Sequence, residues 1–410
     1  MIYSANLKKT TYLFFILISF FLFSCNKNVQ QFVDPPLPTP PAGLALGETL
    51  AARPTDSLYL MLIIKAGLLP VINNKAATFT MFVPDNTAMK LFINAISGGA
   101  VPLAAPDAVF SGFISANIPM ASAVGIVSYN ISGQALTSAN IPASFPNLQY
   151  PTILNPAPTL SALLRLTTFP STRNGAWVNN VPLTAVDLVT ANGIIHHTGA
   201  VVATPQKFLW DRINTDAALT YLKAAINRAD SGTASPGTLQ GALLNIGANL
   251  TVFAPTDSAF KVALTGAIAK ALIGMGVPPS IAVAQATLLA STPAVFSNPA
   301  LFSVLTAQTV KGIIVYHILG YRAFTNNFPV TTTYYPTLLN GAISIHPGVG
   351  LTATFGMPFV NAATVKGVGN STAANIIINS SPLTPEPVGT SDQHYLNGVL
   401  HKIDQVLLPQ

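Results

Sequence analysis

The clearest pattern of apolar and polar positions in the chain occurs twice. Residues 80–89 read TMFVPDNTAM and residues 251–260 read TVFAPTDSAF. Each begins with a short β-branched and aromatic run that predicts a strand, and a proline ends the strand because it cannot donate to the ladder. Asn86 and Asp257 then stand where a helix N-cap is expected, with helix-forming residues after them. The pattern predicts a strand–helix joint that is built twice.

Three further blocks recur in the same order around these joints. An apolar helical segment precedes each joint, and a Tyr-containing segment and an Asn-Gly segment follow it. The matched pairs are GIVSYNISGQAL at 125–136 with GIIVYHILGYRAF at 312–324, and ANGIIHHTGAVVATP at 191–205 with LNGVLHKIDQVLLP at 396–409. The Asn-Gly pair predicts a two-residue hairpin turn followed by a strand. Because the blocks keep one order, they predict an internal duplication.

These blocks resemble the motifs of the fasciclin-like (FAS1) domain family. The family's first motif is similar to TVFAPTDSAF, its central Tyr-His pair to VYHIL, and its last motif to NGVLHKIDQVLLP. The first copy departs from this pattern, with Met89 in place of the usual Phe and Asn130 in place of the His. The resemblance implies an α+β fold with two tandem FAS1-like domains, each a β-sandwich wedge with flanking helices, over residues 46–205 and 206–410.

The first residues of the chain predict an export signal. A basic pair, Lys8-Lys9, precedes an apolar run over residues 12–23 that contains a single polar residue, Ser19, and is too short to span a bilayer. The run ends in Leu-Phe-Ser before Cys25 and resembles a bacterial lipobox. Residues 1–24 are therefore predicted to be a lipoprotein signal peptide, and Cys25 the site of lipid attachment. The other interpretation is an uncleaved signal anchor in which the cysteine is a small apolar filler.

The segment after Cys25 is rich in proline. Prolines fill most of residues 35–41, which predicts an extended and semi-stiff spacer. Residues 25–45 are therefore predicted to be a tether. Asn26 follows the cysteine, and in the bacterial sorting rule the absence of an acidic residue there favours the outer membrane.

Composition narrows the chemistry that the chain can perform. Of its 410 residues, 50% are hydrophobic and 8% charged, and the net charge is +6. The basic residues are scattered, which argues against nucleic-acid binding. The 13 acidic residues give little material for acid–base chemistry, and the chain has neither an H-E-x-x-H zinc motif, a P-loop nor a G-x-S-x-G elbow. We therefore expect no cofactor, no metal site and no enzymatic activity.

The central Tyr-His segment contains the sharpest candidate residues. The family resemblance implies a role in partner binding for Tyr316, His317, Ile318 and Leu319. The residues themselves favour another interpretation, in which Tyr316 and His317 are buried and hydrogen-bonded core residues that tie a strand to a helix. His401, in the strand after the second Asn-Gly pair, is expected to be a satisfied hairpin histidine.

Together these patterns predict a membrane-anchored, non-enzymatic extracytoplasmic lipoprotein. The resemblance to the fasciclin-like family implies that its two domains meet a protein or glycan partner at the outer membrane or cell surface, as in cell adhesion. A second hypothesis is a surface lipoprotein that binds carbohydrate for uptake. Exposed aromatic rings in a groove would favour it, and the chain has two tryptophans, Trp177 and Trp210. A third hypothesis is an enzyme, which needs a pocket where an acid, a histidine and a nucleophile converge.

Overall fold

The computed structural model describes residues 42–234, 237–356, 359–379 and 388–410. The predicted signal peptide, Cys25 and most of the predicted tether fall within residues 1–41 and lie outside the described residues. Residues Pro41–Gln410 form one compact unit. The helices and strands of both halves of the chain belong to this unit.

The first half of the chain forms a six-stranded sheet with helices packed against it. The helices are α1 (Leu46–Ala51), α2 (Ser57–Lys65), α3 (Leu69–Ile72), α4 (Asn86–Ile96), α5 (Asp107–Asn117) and α6 (Met120–Tyr129). The strands are β1 (Phe79–Pro84), β2 (Ile131–Ser132), β3 (Tyr150–Pro151), β4 (Thr167–Thr168), β5 (Pro170–Ser171), β6 (Trp177–Val178), β7 (Val181–Thr190) and β8 (Gly193–Thr198). The sheet order is β2-β1-β8-β7-β6-β5. Helix residues such as Leu62, Phe110 and Val127 pack against Met81 and Ile195 of the central strands.

The second half contains two four-stranded sheets. Its helices are α7 (Leu209–Thr215), α8 (Thr220–Ala229), α9 (Leu239–Leu243), α10 (Asp257–Gly274), α11 (Pro279–Leu289) and α12 (Ala307–Tyr316). Its strands are β9 (Leu250–Pro255), β10 (Ile318–Leu319), β11 (Thr333–Tyr335), β12 (Val349–Gly356), β13 (Phe359–Lys366), β14 (Ala374–Asn375), β15 (Gln393–Tyr395) and β16 (Gly398–Ile403). The sheet orders are β10-β9-β16-β15 and β11-β12-β13-β14. Leu222, Phe260 and Ile314 of the helices pack with Val252 and Leu400 of the first sheet.

Both halves contain the same four-stranded arrangement. The order β2-β1-β8-β7 in the first half corresponds to β10-β9-β16-β15 in the second, and in each the second and third strands are parallel. Helix α6 leads into β2 and α12 leads into β10, as the matched Tyr-containing segments predict. The predicted duplication and the predicted α+β fold are confirmed.

A second layer of strands completes a sandwich in the second half. Phe253 and Ile403 of the first sheet share one apolar cluster with Leu351 and Val365 of the second sheet, so the two sheets face each other across it. In the first half, the remaining strands form the two-stranded sheet β3-β4, which an isolated bridge joins to the edge strand β2. The sandwich is therefore fuller in the second copy than in the first.

The two strand–helix joints differ from the prediction in one detail. The N-cap of α4 is Asp85, whose carboxylate accepts from the Ala88 amide at 2.8 Å, and the N-cap of α10 is Thr256. Asn86 and Asp257 are the first residues of the helices. The predicted N-caps are therefore wrong by one residue.

Asn86 and Asp257 cap a neighbouring helix in place of their own. Asn86 accepts from the backbone amide of Leu58 at 3.0 Å, near the start of α2, and Asp257 accepts from that of Tyr221 at 3.0 Å, near the start of α8. Such first-turn amides have no partner within their own helix. Each joint is thus fastened to an earlier helix of its own half, α2 in the first and α8 in the second.

The predicted hairpins occur, with turns one residue earlier than expected. The loops are residues 191–192 and 396–397, and Gly193 and Gly398 are the first residues of β8 and β16. A Cβ at these glycines would lie 2.1 Å and 2.4 Å from a carbonyl oxygen of the parallel neighbouring strand. Close approach of two strands, and not turn geometry, therefore requires glycine at both positions.

Among the described residues, no single helix has the length and apolar content needed to cross a bilayer. Helices α5 and α6 reach that length and composition together, but the pair is bent by 112°.

Candidate functional site

The Tyr-His segment lies in the core of the second half. Helix α12 ends at Tyr316, His317 is its C-cap residue, and Ile318 and Leu319 form β10. All four side chains are at most 2% exposed. A partner that docks on this conformation meets almost none of their surface, and their role in partner binding stays a prediction.

His317 ties α12 to the C-terminal segment. Its Nδ1 lies 2.8 Å from the carbonyl oxygen of Ile313, and its Nε2 lies 2.8 Å from the backbone nitrogen of Leu407. Because a carbonyl only accepts, Nδ1 carries the proton and Nε2 accepts from the Leu407 amide. Burial lowers the pKa of His317 to about 4, against the opposing effect of the Ile313 hydrogen bond. The ring is therefore neutral, and the buried, hydrogen-bonded interpretation is confirmed.

Asn130 takes the place of His317 in the first half. Its Nδ2 donates to the carbonyl oxygens of Ile126 at 2.8 Å and of Val202 at 3.1 Å. It therefore links the end of α6 to the segment after β8, as His317 links α12 to the segment after β16. The two side chains connect equivalent segments through different hydrogen bonds. Asn130 donates two, whereas His317 donates one and accepts one.

Tyr316 ties the end of α12 to the segments that flank β12 and β13. Its hydroxyl donates to the carbonyl oxygen of Gly348 at 2.7 Å and accepts from the backbone amide of Val368 at 3.0 Å. Burial raises the pKa of Tyr316, although the hydrogen bond from Val368 opposes the shift. The hydroxyl thus donates one hydrogen bond and accepts one within the core.

A histidine ring stacked on a phenylalanine ring occurs at matched positions in both halves. The rings of His196 and Phe82 stack at 5.8 Å and 24°, and those of His401 and Phe253 at 5.8 Å and 25°. Nε2 of each histidine lies at 2.7 Å and 2.9 Å, respectively, from a backbone carbonyl oxygen. Burial lowers the pKa of both rings. The expectation of a satisfied hairpin histidine at position 401 is confirmed, and position 196 repeats it.

An aspartate completes each of these clusters. Asp187 and Asp392 adopt positive φ of 62° and 52°, and their backbone amides lie 3.3 Å and 3.1 Å from Nδ1 of His196 and His401. Their carboxylates accept from Ser138 and Thr325, in each case from the backbone amide at 2.7 Å and from the hydroxyl. The sequence patterns described above did not point to either aspartate. Their equal spacing of nine residues from the two histidines was the available signal.

A contact between a basic and an acidic side chain lies beside each cluster at matched positions. His197, next to His196, contacts Asp56 at 3.1 Å, and Lys402, next to His401, contacts Asp216 at 2.6 Å. Burial raises the pKa of Asp56, but the hydrogen bond and charge of His197, with help from Arg53, outweigh this and hold the pKa below its usual value. The first contact ties β8 to the residue just before α2, and the second ties β16 to the segment before α8.

The two halves meet at a buried polar network. Arg322 donates to Nε2 of His394, whose Nδ1 lies 3.2 Å from the hydroxyl of Tyr129 in the first half. Tyr129 in turn donates to the carbonyl oxygen of Thr167 at 3.0 Å. The guanidinium of Arg322 also lies over the Phe169 ring, 5.2 Å from its centroid. These contacts join side chains from both copies into one chain of donors and acceptors.

Burial sets the charge states within this network. It lowers the pKa of Arg322 to about 10 and raises that of Tyr129. Burial and then the charge of Arg322 lower the pKa of His394 well below its usual value. The imidazole is therefore neutral and acts as a bridge between a cation and a phenol. Sequence analysis did not select these residues, because each one belongs to a different segment.

A cleft of about 370 Å³ opens beside the network. It is lined by residues 179–181 and 201–207 on one side and 392–395 on the other. Its tyrosine, Tyr395, is 1% exposed. Trp177 and Trp210 are buried elsewhere. The cleft is lined by backbone and amide groups and by the side chains of Lys207, Asp392 and His394.

Within the described ranges, no group of three His, Cys, Asp or Glu side chains is placed to hold a metal ion. The buried histidines and aspartates instead hold loops and strands through backbone hydrogen bonds. The arrangement can fix the backbone of both copies.

Comparison with known proteins gives one family-model match and a similarity to a solved structure. Residues 56–203 match the family model described as Fasciclin domain. Among solved structures, the chain is similar to a FAS1 domain pair from the insect cell adhesion molecule Fasciclin I. That likeness has 13% sequence identity and a TM-score of 0.32, and it covers 86% of this chain and 97% of the other. A search of curated proteins gave no match.

Proposed function

We propose that the protein is a membrane-anchored, non-enzymatic extracytoplasmic lipoprotein that serves cell adhesion or surface interaction. Its two fasciclin-like domains would be residues 46–205 and 206–410, after a signal peptide of residues 1–24 and a tether of residues 25–45. The observation that carries this proposal is the Fasciclin domain at residues 56–203, together with the repetition of its strand order in the second half.

The use of the polar side chains supports a non-enzymatic role. His196, His317 and His401 are all neutral and held by backbone groups on both ring nitrogens. The carboxylates of Asp187 and Asp392 fix nearby loops. A general acid or base needs a free face toward a substrate, and these groups have none. We propose that Tyr316–Leu319 act in the same way, by holding the core beneath the surface that a partner contacts.

Carbohydrate uptake is the second candidate, and the aromatic residues weaken it. Sugar rings commonly stack on exposed aromatic faces, whereas Trp177 and Trp210 are 3% and 7% exposed. The cleft between the halves contains amide groups that hydrogen-bond hydroxyls, and it is the site where this alternative would apply. We therefore place adhesion first.

Cells that display the full chain are expected to settle on, or aggregate with, a partner surface more than cells that carry an empty vector. The reason is that a surface pair of folded domains presents many copies of one contact face, which multiplies weak binding. The measurement is a cell-adhesion assay with and without free monosaccharide and oligosaccharide mixtures. Unchanged adhesion with sugar supports adhesion by protein contact, and full release by sugar would support carbohydrate binding instead.

Replacing Cys25 with alanine is expected to move the protein from the membrane fraction to the soluble fraction. Each buried methylene of an acyl chain contributes about 0.8 kcal/mol, so two or more chains hold a protein almost permanently. The measurement is fractionation and metabolic labelling with a fatty acid. Serine at position 24 replaced with alanine keeps a small residue before the cysteine and serves as the control. A Cys25→Ala protein that still pellets with membranes would contradict the lipid anchor.

A further inference from the structure

The helical hairpin of α10 and α11 has an unusual surface. Between residues 258 and 310 the charged residues are Lys261 and Lys270, and no Asp or Glu occurs from 258 to 385. Several large apolar side chains of the hairpin are exposed. They are Val262, Ile273, Met275, Ile281, Val283 and Leu288. Met275, in the connection between the helices, is 69% exposed and Leu288 is 75% exposed. The hairpin therefore presents apolar and positive groups without negative ones along its length.

The two faces of α11 explain why this surface is left open. Ala282, Ala286 and Ala290 are fully buried, at the spacing of one helical turn, and they let α11 pack closely on α10. Ile281 and Leu288 lie seven residues apart, which places them together on the opposite face. The small inner residues bury the helix against its partner, so the larger apolar side chains point to solvent.

The far end of the hairpin is remote from the acid at its base. Asp257 begins α10, and its carboxylate is engaged by Thr220 and Tyr221. Ile273 follows it by 16 residues, or about 24 Å along the helix. Lys270 is exposed near that end. The tip therefore combines a cation with apolar side chains and is distant from the one carboxylate of its own helix.

We propose that this hairpin docks on the surface of a lipid bilayer that carries anionic headgroups. Exposed apolar side chains can enter the acyl boundary of a bilayer, and a lysine beside them can pair with anionic headgroups. A second copy of the chain fits less well, because two such hairpins would bring their lysines together without an acid to pair them. The inference rests on the proposed lipid anchor, which keeps the hairpin close to the bilayer and so favours a second, weaker contact.

The test uses the full chain reconstituted with lipid vesicles. Ile281→Cys carries an environment-sensitive fluorophore, and Leu163→Cys is the matched control, since Leu163 is an exposed leucine of the first half. Cys25 is the chain's one native cysteine and is acylated in the anchored protein, and a Cys25→Ala background keeps labelling specific in a parallel sample. Vesicles contain phosphatidylethanolamine and phosphatidylglycerol with a lipid-attached quencher, or phosphatidylcholine with the same quencher.

The expected result is a blue shift and quenching by lipid at position 281, with neither at position 163. Lys270→Glu in the labelled protein is expected to lower the ratio of docked to undocked hairpin roughly thirtyfold on the anionic vesicles, because each charge near such a surface contributes about 1 kcal/mol. On phosphatidylcholine the same substitution is expected to have a much smaller effect.

Vesicle flotation separates this inference from the lipid anchor. Flotation with no quenching at position 281 overturns the docking while the anchor stands. Quenching at position 281 in the Cys25→Ala background, together with flotation that no longer depends on Cys25, supports the docking and removes the anchor. A blue shift that lipid does not quench, with cross-linking between copies at position 281, overturns the docking in favour of self-association.

Discussion

Replacing Gly398 with alanine is expected to lower the free energy of unfolding by about 3 kcal/mol or more. The added Cβ would lie 2.4 Å from the carbonyl oxygen of Leu250 and 2.5 Å from Cδ1 of Leu209. The leucine methyl can turn away, but the carbonyl belongs to β9, which pairs in parallel with β16 through the centre of the sheet. The backbone of that pair has to separate, which strains the ladder of the second half.

Urea denaturation of the purified protein measures this effect, with Gly266→Ala as the matched control. Gly266 is an exposed residue within α10, and a Cβ there meets no atom within 4 Å. Alanine at that position is expected to raise the free energy of unfolding by about 0.5–1 kcal/mol, because it restricts the unfolded chain and favours helix. A Gly398→Ala protein as stable as the wild type would contradict the close approach of β9 and β16.

The second large effect is a loss of stability in mild acid that depends on His317. Its pKa is about 4 in the folded protein against 6.5 as the ordinary value, so the unfolded chain takes up the proton first as the pH falls. Stability is therefore complete above about pH 6.5 and falls below it by about 1.4 kcal/mol per pH unit, or about 3 kcal/mol by pH 4. A proton on Nε2 would also face the amide of Leu407 and break that hydrogen bond.

The matched variant is His317→Asn, since asparagine stands at the corresponding position 130 of the first copy. We expect it to be less stable than the wild type at pH 7, because it changes the contact with Leu407. We also expect the deficit to shrink as the pH falls toward 4.5, because asparagine takes up no proton. Urea denaturation at a series of pH values measures the difference. A deficit that stays constant with pH would show that His317 is already protonated, or exposed, in the folded protein.

Local patterns in the sequence predicted the strand–helix joints and the hairpins. A proline at the end of a β-branched run acts on its own strand, so no distant contact is needed to place β1 and β9. The choice between Asp85 and Asn86 as N-cap is different, because either side chain can cap a helix. Leu58, 28 residues away from Asn86, decides it by donating its amide to that side chain. The prediction therefore failed where a second helix took part.

The same reason explains the histidine and aspartate clusters and the network between the halves. The Asp187 and Asp392 clusters could have been found by aligning the two copies, because the spacing is identical. The contact of Tyr129 with His394 joins residues 265 positions apart, and neither residue carries a local signal of it. The burial of Tyr316 and His317 was predictable, since an apolar run surrounds them, but their partners in the second sheet and the C-terminal segment were not.

The network between the halves also limits how the chain can be divided. If a truncation ended the polypeptide near Pro205, Tyr129 would lose His394 and Phe169 would lose the guanidinium that covers it. The complementary fragment would keep Arg322 and His394. In that fragment Arg322 would be hydrated on the side that Phe169 covers, and His394 would lose its contact with the Tyr129 hydroxyl. Each fragment would expose residues that are buried between the halves of the whole molecule. Binding measured on a fragment would therefore include contacts with a surface that the intact protein buries.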